Sequence, residues 1–317
     1  MIRRRPPHST RQTGQTLHHR LSIATPVDFD FWRTAYSHGW CDLPPFSFDS
    51  NLRTLSRVLT LNEHTAVNCR LAAGPRSVHV LVSASAKLSA ADRRQIQEQL
   101  RSCLRLGEDF GAFYDKAREH PLYRWIPRSG AGRLLRSPTV FEDTLKMLCT
   151  TNCTWALTRI MVTRLVRRFG RSFGGELYAF PSAGSIADST ESFLRRECST
   201  GYRAPYILEF ACRVDRAELD PESWRTSPLP TEELFKVIRT VKGIGPYAAG
   251  NILKLLGRYD YLGLDSWVRS RYSELHHSGR RVKDSTIERT YARYGHWRGL
   301  FFWLEMTRDW HDDKFNF

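Results

Sequence analysis

The sequence predicts an α+β protein, with a small N-terminal antiparallel β-sheet domain followed by a mostly α-helical region. Residues 40–87 are rich in β-branched side chains and alternate in the manner of strands. The spacing of apolar residues becomes helical at Ser89 and remains so almost to the C-terminus. The 317 residues, of which 41% are apolar, are enough to bury the cores of roughly one to three domains.

Two runs, 65–72 and 77–85, are the clearest strands. In the second run every second residue is a valine, at Val78, Val80 and Val82, as in a strand with one buried face. Gly74-Pro75 lies between the runs and is typical of a turn, so the two strands are expected to pair.

The helical region begins with a capping signal at Ser89 and Asp92, and that first helix continues toward Gly107. Further helices are predicted at 139–151, 155–169, 190–197, 203–213, 231–240, 246–257, 284–293 and 298–308. The predicted divisions are a disordered basic arm at 1–20, a sheet domain with one helix at 21–107, and a helical region of two subdomains at 108–317.

The charge is strongly positive. Lys and Arg number 48 against 33 acidic residues, giving a formal net charge of +15, and 40 of the basic residues are Arg. A guanidinium presents a planar fork of donors that suits phosphate, although a GC-rich genome gives the same bias. Nucleic acid and acidic membrane surfaces are therefore the first partners to consider.

The N-terminal segment is basic and free of acids, since the first acidic residue is Asp28. Arginines occupy positions 3, 4, 5, 11 and 20 among Ser, Thr, Gln and His. This pattern favours a disordered arm over the alternative, an organelle transit peptide, because the apolar face of the segment is poor.

The seven cysteines are odd in number and contain no CxxC pair, so neither a disulfide framework nor a zinc site is indicated. Their pattern is typical of reduced thiols in an intracellular protein. No apolar run approaches the roughly 18 residues that span a bilayer, so we expect no membrane partner.

The most informative segment is 235–269, FKVIRTVKGIGPYAAGNILKLLGRYDYLGLDSWVR. A short helix leads into the turn from Lys242 to Pro246, and a second helix follows. Gly243 and Gly245 allow the backbone to turn tightly and to approach a ligand, while Ile244 can anchor the turn in the core. The free amides of such a turn and of the new helix can hold a phosphate oxygen, which predicts a helix-hairpin-helix at 232–257. Its backbone-gripping residues would be Val241, Lys242, Gly243, Gly245 and Tyr247.

An acid follows the hairpin about twenty residues later. Asp265 stands after the apolar run 262–264 and before a new helix, where it is also a favoured N-cap. A hairpin, a helix, a Gly-containing turn and then Asp is the signature of the helix-hairpin-helix DNA glycosylase superfamily, which this sequence closely resembles from about residue 21 to 311.

Other segments extend the resemblance to two branches of that superfamily. Residues 135–142 with 149–152 look like its first helical block, and Gly201-Tyr202-Arg203 is similar to a loop of 8-oxoguanine DNA glycosylases. Residues 297–303 and Trp310 resemble the closing helix of bacterial 3-methyladenine glycosylases. The iron–sulfur branch is excluded, because no cysteine follows Cys212 and such a cluster needs four.

The resemblance assigns residues that fill the gap left by a flipped base. Asn152, Tyr202 and Arg203 match the positions that enter the stack or contact the orphaned base. The alternatives are local ones: Asn152 as a cap for the helix that begins near Thr154, and Tyr202 with Arg203 as a packed loop.

The resemblance also bears on the chemistry. Lyase-competent relatives carry a Lys two residues after the second hairpin glycine, where it forms a Schiff base with the sugar. This chain has Tyr247 there, which predicts hydrolysis without a lyase step. Of the nearby lysines, Lys242 belongs to the hairpin and Lys254 is expected on a different helical face from Tyr247.

The base pocket is predicted from helical spacing. Tyr247 and Asn251 lie at i and i+4, and so do Phe302 and Met306 on the closing helix. By resemblance both faces line the pocket, with plain core packing as the alternative for Phe302 and Met306. Electron-rich rings suit an alkylated, cationic purine.

The expected function is a monofunctional DNA N-glycosylase of base excision repair, acting on double-stranded DNA as a monomer with Asp265 as the catalytic residue. The alternatives are a non-catalytic damaged-DNA-binding protein of the same fold and an oxidised-purine glycosylase. No cofactor, iron–sulfur cluster or metal is expected, although the resemblance leaves open a monovalent cation at the hairpin. An intracellular location is expected, with organelle import left open.

Overall fold

The computed structural model describes residues 16–62 and 65–311. Over these ranges the chain forms a five-stranded antiparallel sheet in its N-terminal part and a helical region after it. The predicted α+β class is confirmed.

The strands of the sheet are β1 (Leu17–Ala24), β2 (Phe46–Asp49), β3 (Thr54–Leu61), β4 (Thr65–Gly74) and β5 (Ser77–Ala84). They lie in the order β1-β5-β4-β3-β2, and all neighbours are antiparallel. Val78, Val80 and Val82 are buried on one face, as their alternation predicts. A separate hairpin consists of β6 (Ser172–Gly174) and β7 (Leu177–Tyr178).

The helices are α1 (Phe31–Ala35), α2 (Ala90–Cys103), α3 (Gly111–Glu119), α4 (Trp125–Ser129), α5 (Val140–Thr150), α6 (Trp155–Phe169), α7 (Ala183–Ala187), α8 (Glu191–Glu197), α9 (Ala204–Asp215), α10 (Thr231–Ile238), α11 (Pro246–Leu256), α12 (Ser266–His277), α13 (Asp284–Ala292) and α14 (Arg298–Met306). Each helix predicted from residue 139 onward has a counterpart whose ends agree within two residues. The capping box that begins α2 is also present, since Ser89 Oγ accepts the Asp92 amide and Asp92 accepts the Ser89 amide.

The boundary of the basic arm needs correction. Residues 1–15 lie outside the described residues, but 17–20 belong to β1, which pairs along its whole length with β5. The sheet domain therefore begins at least four residues earlier than predicted. The arginine at position 20 obscured the strand, because its side chain lies on the more exposed face.

Helix α5 runs through the core of the helical region. Every residue from Val140 to Cys149 is buried. The carboxylate of Glu222 caps its N-terminus, with Oε2 accepting the Val140 amide and Oε1 the Phe141 amide at 2.9 Å each. A carboxylate at this end of a helix is favoured by the helix dipole, so the start of α5 is firmly placed.

A buried group of charges joins the sheet to α5. The guanidinium of Arg57, on β3, donates to both oxygens of Glu142, at 3.1 and 2.5 Å. Lys146 Nζ, one turn further along α5, is 2.7 Å from Glu142 Oε1. Burial opposes ionisation of Glu142, but the two cations outweigh it and lower the pKa of this carboxyl. We call Arg57, Glu142 and Lys146 the buried charge triad.

Two further predictions concern cysteines and membrane spans. All seven cysteines lie within the described ranges and are free thiols. No helix in these ranges is long and apolar enough to cross a membrane.

Replacing Glu142 by Gln should destabilise the fold by about 3–5 kcal/mol, because two buried cations lose their counter-charge. Urea denaturation followed by circular dichroism measures the free energy of unfolding. Glu176→Gln is the matched control, since Glu176 pairs with Arg167 at 2.6 Å on the surface and its loss should change stability by less than about 1 kcal/mol. Equal effects of the two changes would show that the triad does not join sheet and helix.

Candidate active site and hairpin

The predicted hairpin is formed by the end of α10, a short turn and the start of α11. Val241 and Ile244 are buried and fix the turn to the core. Gly243 has φ +86°, and a Cβ added there would lie 2.7 Å from the ring of Tyr206. Only glycine fits this position without displacing its neighbour.

The outer side of the turn presents backbone amides. Gly245 is the N-cap of α11 and Pro246 its first residue, which has no amide hydrogen to lose. Within the described residues, the amides of Gly243, Gly245 and Tyr247 have no hydrogen-bond acceptor. Together with the positive end of the α11 dipole, these donors form a site for an anionic oxygen. Lys242 is exposed beside them and pairs with Glu209 at 2.8 Å.

Asp265 begins α12 as its N-cap. Its Oδ1 accepts the amide of Val268 at 2.9 Å, so the capping role predicted from the sequence is confirmed. The other oxygen is not used in this bond, and the residue remains partly exposed. Asp265 therefore combines a fixed backbone position with an available carboxylate oxygen.

Tyr247 connects this carboxylate to the end of α5. Its phenol lies close enough to Asp265 and to Thr150, the last residue of α5, for both side chains to affect its pKa. Burial and the nearby Asp265 charge raise the pKa of Tyr247, so the phenol stays protonated at physiological pH. The structure thus brings together Tyr247 and Asp265, two of the residues predicted for the site.

The predicted gap-filling loop lies directly after Thr150. Asn152 is exposed in the left-handed region at φ +46°, and its Nδ2 donates to the Tyr202 hydroxyl at 3.4 Å. Tyr202 is 47% exposed, so the two side chains form a paired projection on the surface. Thr154, not Asn152, is the N-cap of α6, which removes the capping alternative for Asn152.

The third residue of this group has a different place from the predicted one. Arg203 is buried, its Nη2 donates to the Thr151 carbonyl, and its guanidinium lies 4.5 Å from the centre of the Tyr202 ring. A buried guanidinium cannot enter a DNA stack. Arg203 instead ties the 151–153 loop to the turn that carries Tyr202.

The predicted base-pocket residues on α14 also need correction. Phe302 and Met306 are buried in the core, where Phe302 packs edge-on against Tyr291 at 5.1 Å. Spacing alone could not identify the outer side of α14, because this helix is apolar almost all around. The core alternative is the one that the structure supports.

Asn251 lies on the same side of α11 as Tyr247, as its spacing predicts. Its Nδ2, however, donates to the Tyr247 carbonyl at 2.9 Å. The side chain also fills the space beneath Gly263, so it supports the segment before Asp265 instead of standing open to a ligand.

A group of tryptophans lies beside Asp265. The ring of Trp267, two residues after Asp265 and 41% exposed, is 5.4 Å from that of Trp310 and 6.3 Å from that of Trp303. Trp303 neighbours Phe302 on α14 but faces outward, and its Nε1 donates to the Ser37 carbonyl at 3.0 Å. We call Trp267, Trp303 and Trp310 the tryptophan cluster. Sequence reasoning missed it as a site, although Trp267 follows Asp265 so closely.

Lys254 is a second residue that sequence reasoning misplaced. Seven residues at about 100° each bring it back to the face of Tyr247, so the predicted separation of the two faces is wrong. Its ammonium is buried, donates to the Leu262 carbonyl at 2.7 Å, and lies 5.2 Å from the centre of the Trp303 ring. Burial lowers its pKa to about 7, and the Asp265 carboxylate opposes that shift.

Similar proteins carry the same arrangement of elements. No family model matches the chain. A probable N-glycosylase/DNA lyase of Methanothermobacter thermautotrophicus is 26% identical over 227 residues, which cover 64% of this chain and 71% of that protein. A 3-methyladenine DNA glycosylase of Archaeoglobus fulgidus superposes with a TM-score of 0.71 at 21% identity, covering 92% of this chain and 98% of the other. An 8-oxoguanine glycosylase/lyase of Clostridium acetobutylicum gives 0.69 at 16% identity, covering 92% and 97%.

The chain has the helix-hairpin-helix DNA glycosylase fold. The resemblance drawn from the hairpin and Asp265 is thereby confirmed, including its extent over most of the chain. Both branches named in the sequence analysis are represented among these structures.

Replacing Gly243 by Ala should destabilise this glycosylase fold by about 1–2 kcal/mol, because the new Cβ meets Tyr206 and the backbone is left-handed. Thermal unfolding at matched pH measures the change. Gly245→Ala is the control, since its φ of −84° suits any residue and nothing lies within 4 Å of an added Cβ. If Gly245→Ala were equally damaging to stability, the close approach at Gly243 would not explain the effect.

Proposed function

We propose that this chain is a DNA glycosylase that releases a damaged base by hydrolysing its N-glycosidic bond. One observation carries the proposal: Tyr247, on the second helix of the hairpin, interacts with both the Asp265 carboxylate and Thr150, which lies shortly before the Asn152–Tyr202 pair. A backbone-binding turn, an acid and a gap-filling pair at one surface are what base extrusion and cleavage require. The names of the archaeal relative and of both structural neighbours support the same class.

The proposed partner is double-stranded DNA, bound by a monomer. The unpaired amides at Gly243 and Gly245 would hold a phosphate of the damaged strand. Because amides carry no sequence information, this contact positions the duplex without selecting bases. We propose no redox cofactor and no iron–sulfur cluster; the carbonyls of this turn would suit a monovalent cation shared with the phosphate.

The Asn152–Tyr202 pair would occupy the space that the extruded base leaves. Tyr202 is exposed and its ring is held by Arg203 on one side, so it can insert without a large loss of rotamer freedom. Asn152 offers both a donor and acceptors to the orphaned base. The hydrogen bond between the two side chains keeps them together before DNA arrives.

Asp265 would act on the sugar. As the N-glycosidic bond breaks, positive charge develops on the deoxyribose, and a fixed carboxylate stabilises it without reorganisation. The same carboxylate can orient or deprotonate the attacking water. The Val268 amide hydrogen-bonds Asp265 at 2.9 Å, which keeps the carboxylate in place.

We propose that no lyase step follows. Tyr247 occupies the position of the Schiff-base lysine, and a phenol cannot form that adduct. The ammonium of Lys254 lies on the same side of α11, but it is buried and donates to Leu262. The archaeal relative is named as a lyase as well, so this point needs a direct test.

An alkylated base is the proposed substrate. The tryptophan cluster beside Asp265 offers electron-rich faces, and a cationic base gains on the order of 0.5–2 kcal/mol per ring from such contact. A cationic purine is also a good leaving group that needs little acid catalysis. The Asn152–Tyr202 pair, which resembles a loop of 8-oxoguanine glycosylases, favours an oxidised purine as the second candidate.

Both substrates, and the class itself, are tested by single-turnover base release. Duplexes would each carry one 7-methylguanine, 8-oxoguanine opposite cytosine, hypoxanthine or G·T mismatch. We expect release from the alkylated duplex; release from 8-oxoguanine alone would favour the second candidate. Specific binding without release from any duplex would favour a non-catalytic damaged-DNA-binding protein of the same fold.

Replacing Asp265 by Asn should lower the rate of base release by at least about 100-fold, because the negative charge at the sugar is lost. Asn is also a good N-cap, so α12 and the affinity for DNA should be retained. Asp284→Asn is the control, since that carboxylate pairs with Arg269 on the surface at 2.8 Å. Undiminished turnover by Asp265→Asn would overturn the catalytic assignment.

Borohydride added during base release should trap no protein–DNA adduct, because Tyr247 cannot form a Schiff base. The measurement is a gel-shift of denatured complexes. A trapped adduct would show that the chain has a lyase step, and peptide mapping of the adduct would identify the amine responsible.

A further inference from the structure

We propose that Lys254 is a positioning residue that fixes the 259–264 segment and sets the electrostatic field at the Asp265 carboxylate. The inference deepens the proposed function and depends on Asp265 being the group that acts on the sugar. Lys254 does not itself need to touch DNA. It acts from beneath the site, through the chain segment that ends at Asp265.

The first support is a single buried hydrogen bond. Lys254 is 2% exposed, and its Nζ donates to the Leu262 carbonyl at 2.7 Å. Leu262 precedes Asp265 by three residues, in a segment without helix or strand. An irregular segment has no ladder of its own to hold it, so this bond fixes its path close to the carboxylate.

A second contact holds the same segment one residue later. Gly263 has φ +69°, and a Cβ added there would lie 2.9 Å from Asn251 Nδ2. Asn251 is itself fixed by its bond to the Tyr247 carbonyl. Two adjacent residues of the segment therefore lie against α11, and Lys254 provides the hydrogen bond.

The third support is the neighbourhood of the ammonium. Trp303, on α14, faces it at 5.2 Å and in turn binds the Ser37 carbonyl. Lys254 thus touches α14 as well as the 259–264 segment. An apolar residue could fill the same space without the free-energy cost of burying a charge. Filling space therefore does not explain a lysine at this position.

The charged and titratable groups around Lys254 come from three elements. Asp265 faces it from the start of α12, His38 from the segment after α1, and Tyr247 shares α11 and lies near Asp265. Burial lowers the pKa of His38 to about 3, and Lys254 is one of the cations that add to the shift. Burial and Asp265 raise the pKa of Tyr247. Neither of these two groups changes charge between about pH 6 and 8.

Lys254 does change charge in that interval, because burial lowers its pKa to about 7 against the opposing effect of Asp265. Below that pH its positive charge partly cancels the field of Asp265 at the sugar. Above it the amine is neutral and still donates to Leu262, so the carboxylate stabilises the developing sugar cation more strongly. The rate of base release should therefore rise with pH through about 7.

The experiment uses two substitutions of the full chain. Lys254→Met removes both the donor and the charge, while Lys254→Gln keeps an amide donor for Leu262 and removes only the charge. Rates of base release are measured under single-turnover conditions from pH 5.5 to 9 on the 7-methylguanine and 8-oxoguanine duplexes. Hydrogen–deuterium exchange of 259–264 is followed in the free protein, so that one readout does not depend on activity.

We expect Lys254→Met to lower the rate at least about 10-fold with little change in DNA affinity, since small displacements of a catalytic group are costly. Lys254→Gln should recover to within about threefold of the wild type above pH 8. Both should lose the rise near pH 7. Exchange of 259–264 should be faster in Lys254→Met than in the wild type or Lys254→Gln.

Ile287→Val is the control for general loosening, because Ile287 is buried on α13, outside both α11 and the 259–264 segment. It should keep both the pH profile and the exchange of 259–264. An unchanged exchange pattern in Lys254→Met would overturn the positioning role whatever the activity. A retained pH rise in both variants would overturn the electrostatic role, and a wild type without base release would instead count against the proposed function.

Discussion

The carboxylate of Glu142 holds two cations out of water at the junction of the sheet and the helical region. Arg57 belongs to β3, so the sheet determines where α5 stands. At about 1.5 Å per residue, the eight residues from Glu142 to Thr150 carry that placement about 12 Å along the helix. The end of α5 lies next to Tyr247. The position of the candidate active site therefore depends on the buried charge triad in the interior of the molecule.

The sequence predicted best the features that depend on a few residues close together in the chain. Gly243 and Pro246 determine the hairpin locally, because glycine permits the left-handed backbone of the turn and proline fixes φ at the first residue of α11. Asp265 is an N-cap for the same reason, since its side chain bonds an amide three residues ahead. Strand pairing at Gly74-Pro75 belongs to this class as well.

Other features depend on which side of an element faces the core, and these were predicted less well. Helix α14 is apolar on nearly every side, so spacing could not separate the inward Phe302 from the outward Trp303. Arg203 was predicted to contact DNA, because nothing in the sequence indicates that the Thr151 carbonyl accepts a hydrogen bond from its guanidinium. Helical geometry alone was enough to place Lys254 on the same face of α11 as Tyr247, and only its burial required the structure.

The surface arginines of α6 and α8 are largely paired with carboxylates. The pairs are Arg159–Asp42, Arg167–Glu176, Arg168–Glu197 and Arg195–Glu191. A phosphate that binds one of these arginines would replace a carboxylate. Fewer bound counterions would then be released than when a phosphate binds a free guanidinium group. The hairpin would bind phosphate through neutral backbone amides, which release no counterions. For a chain that binds DNA in this way, the salt dependence of affinity would be shallower than its 40 arginines suggest.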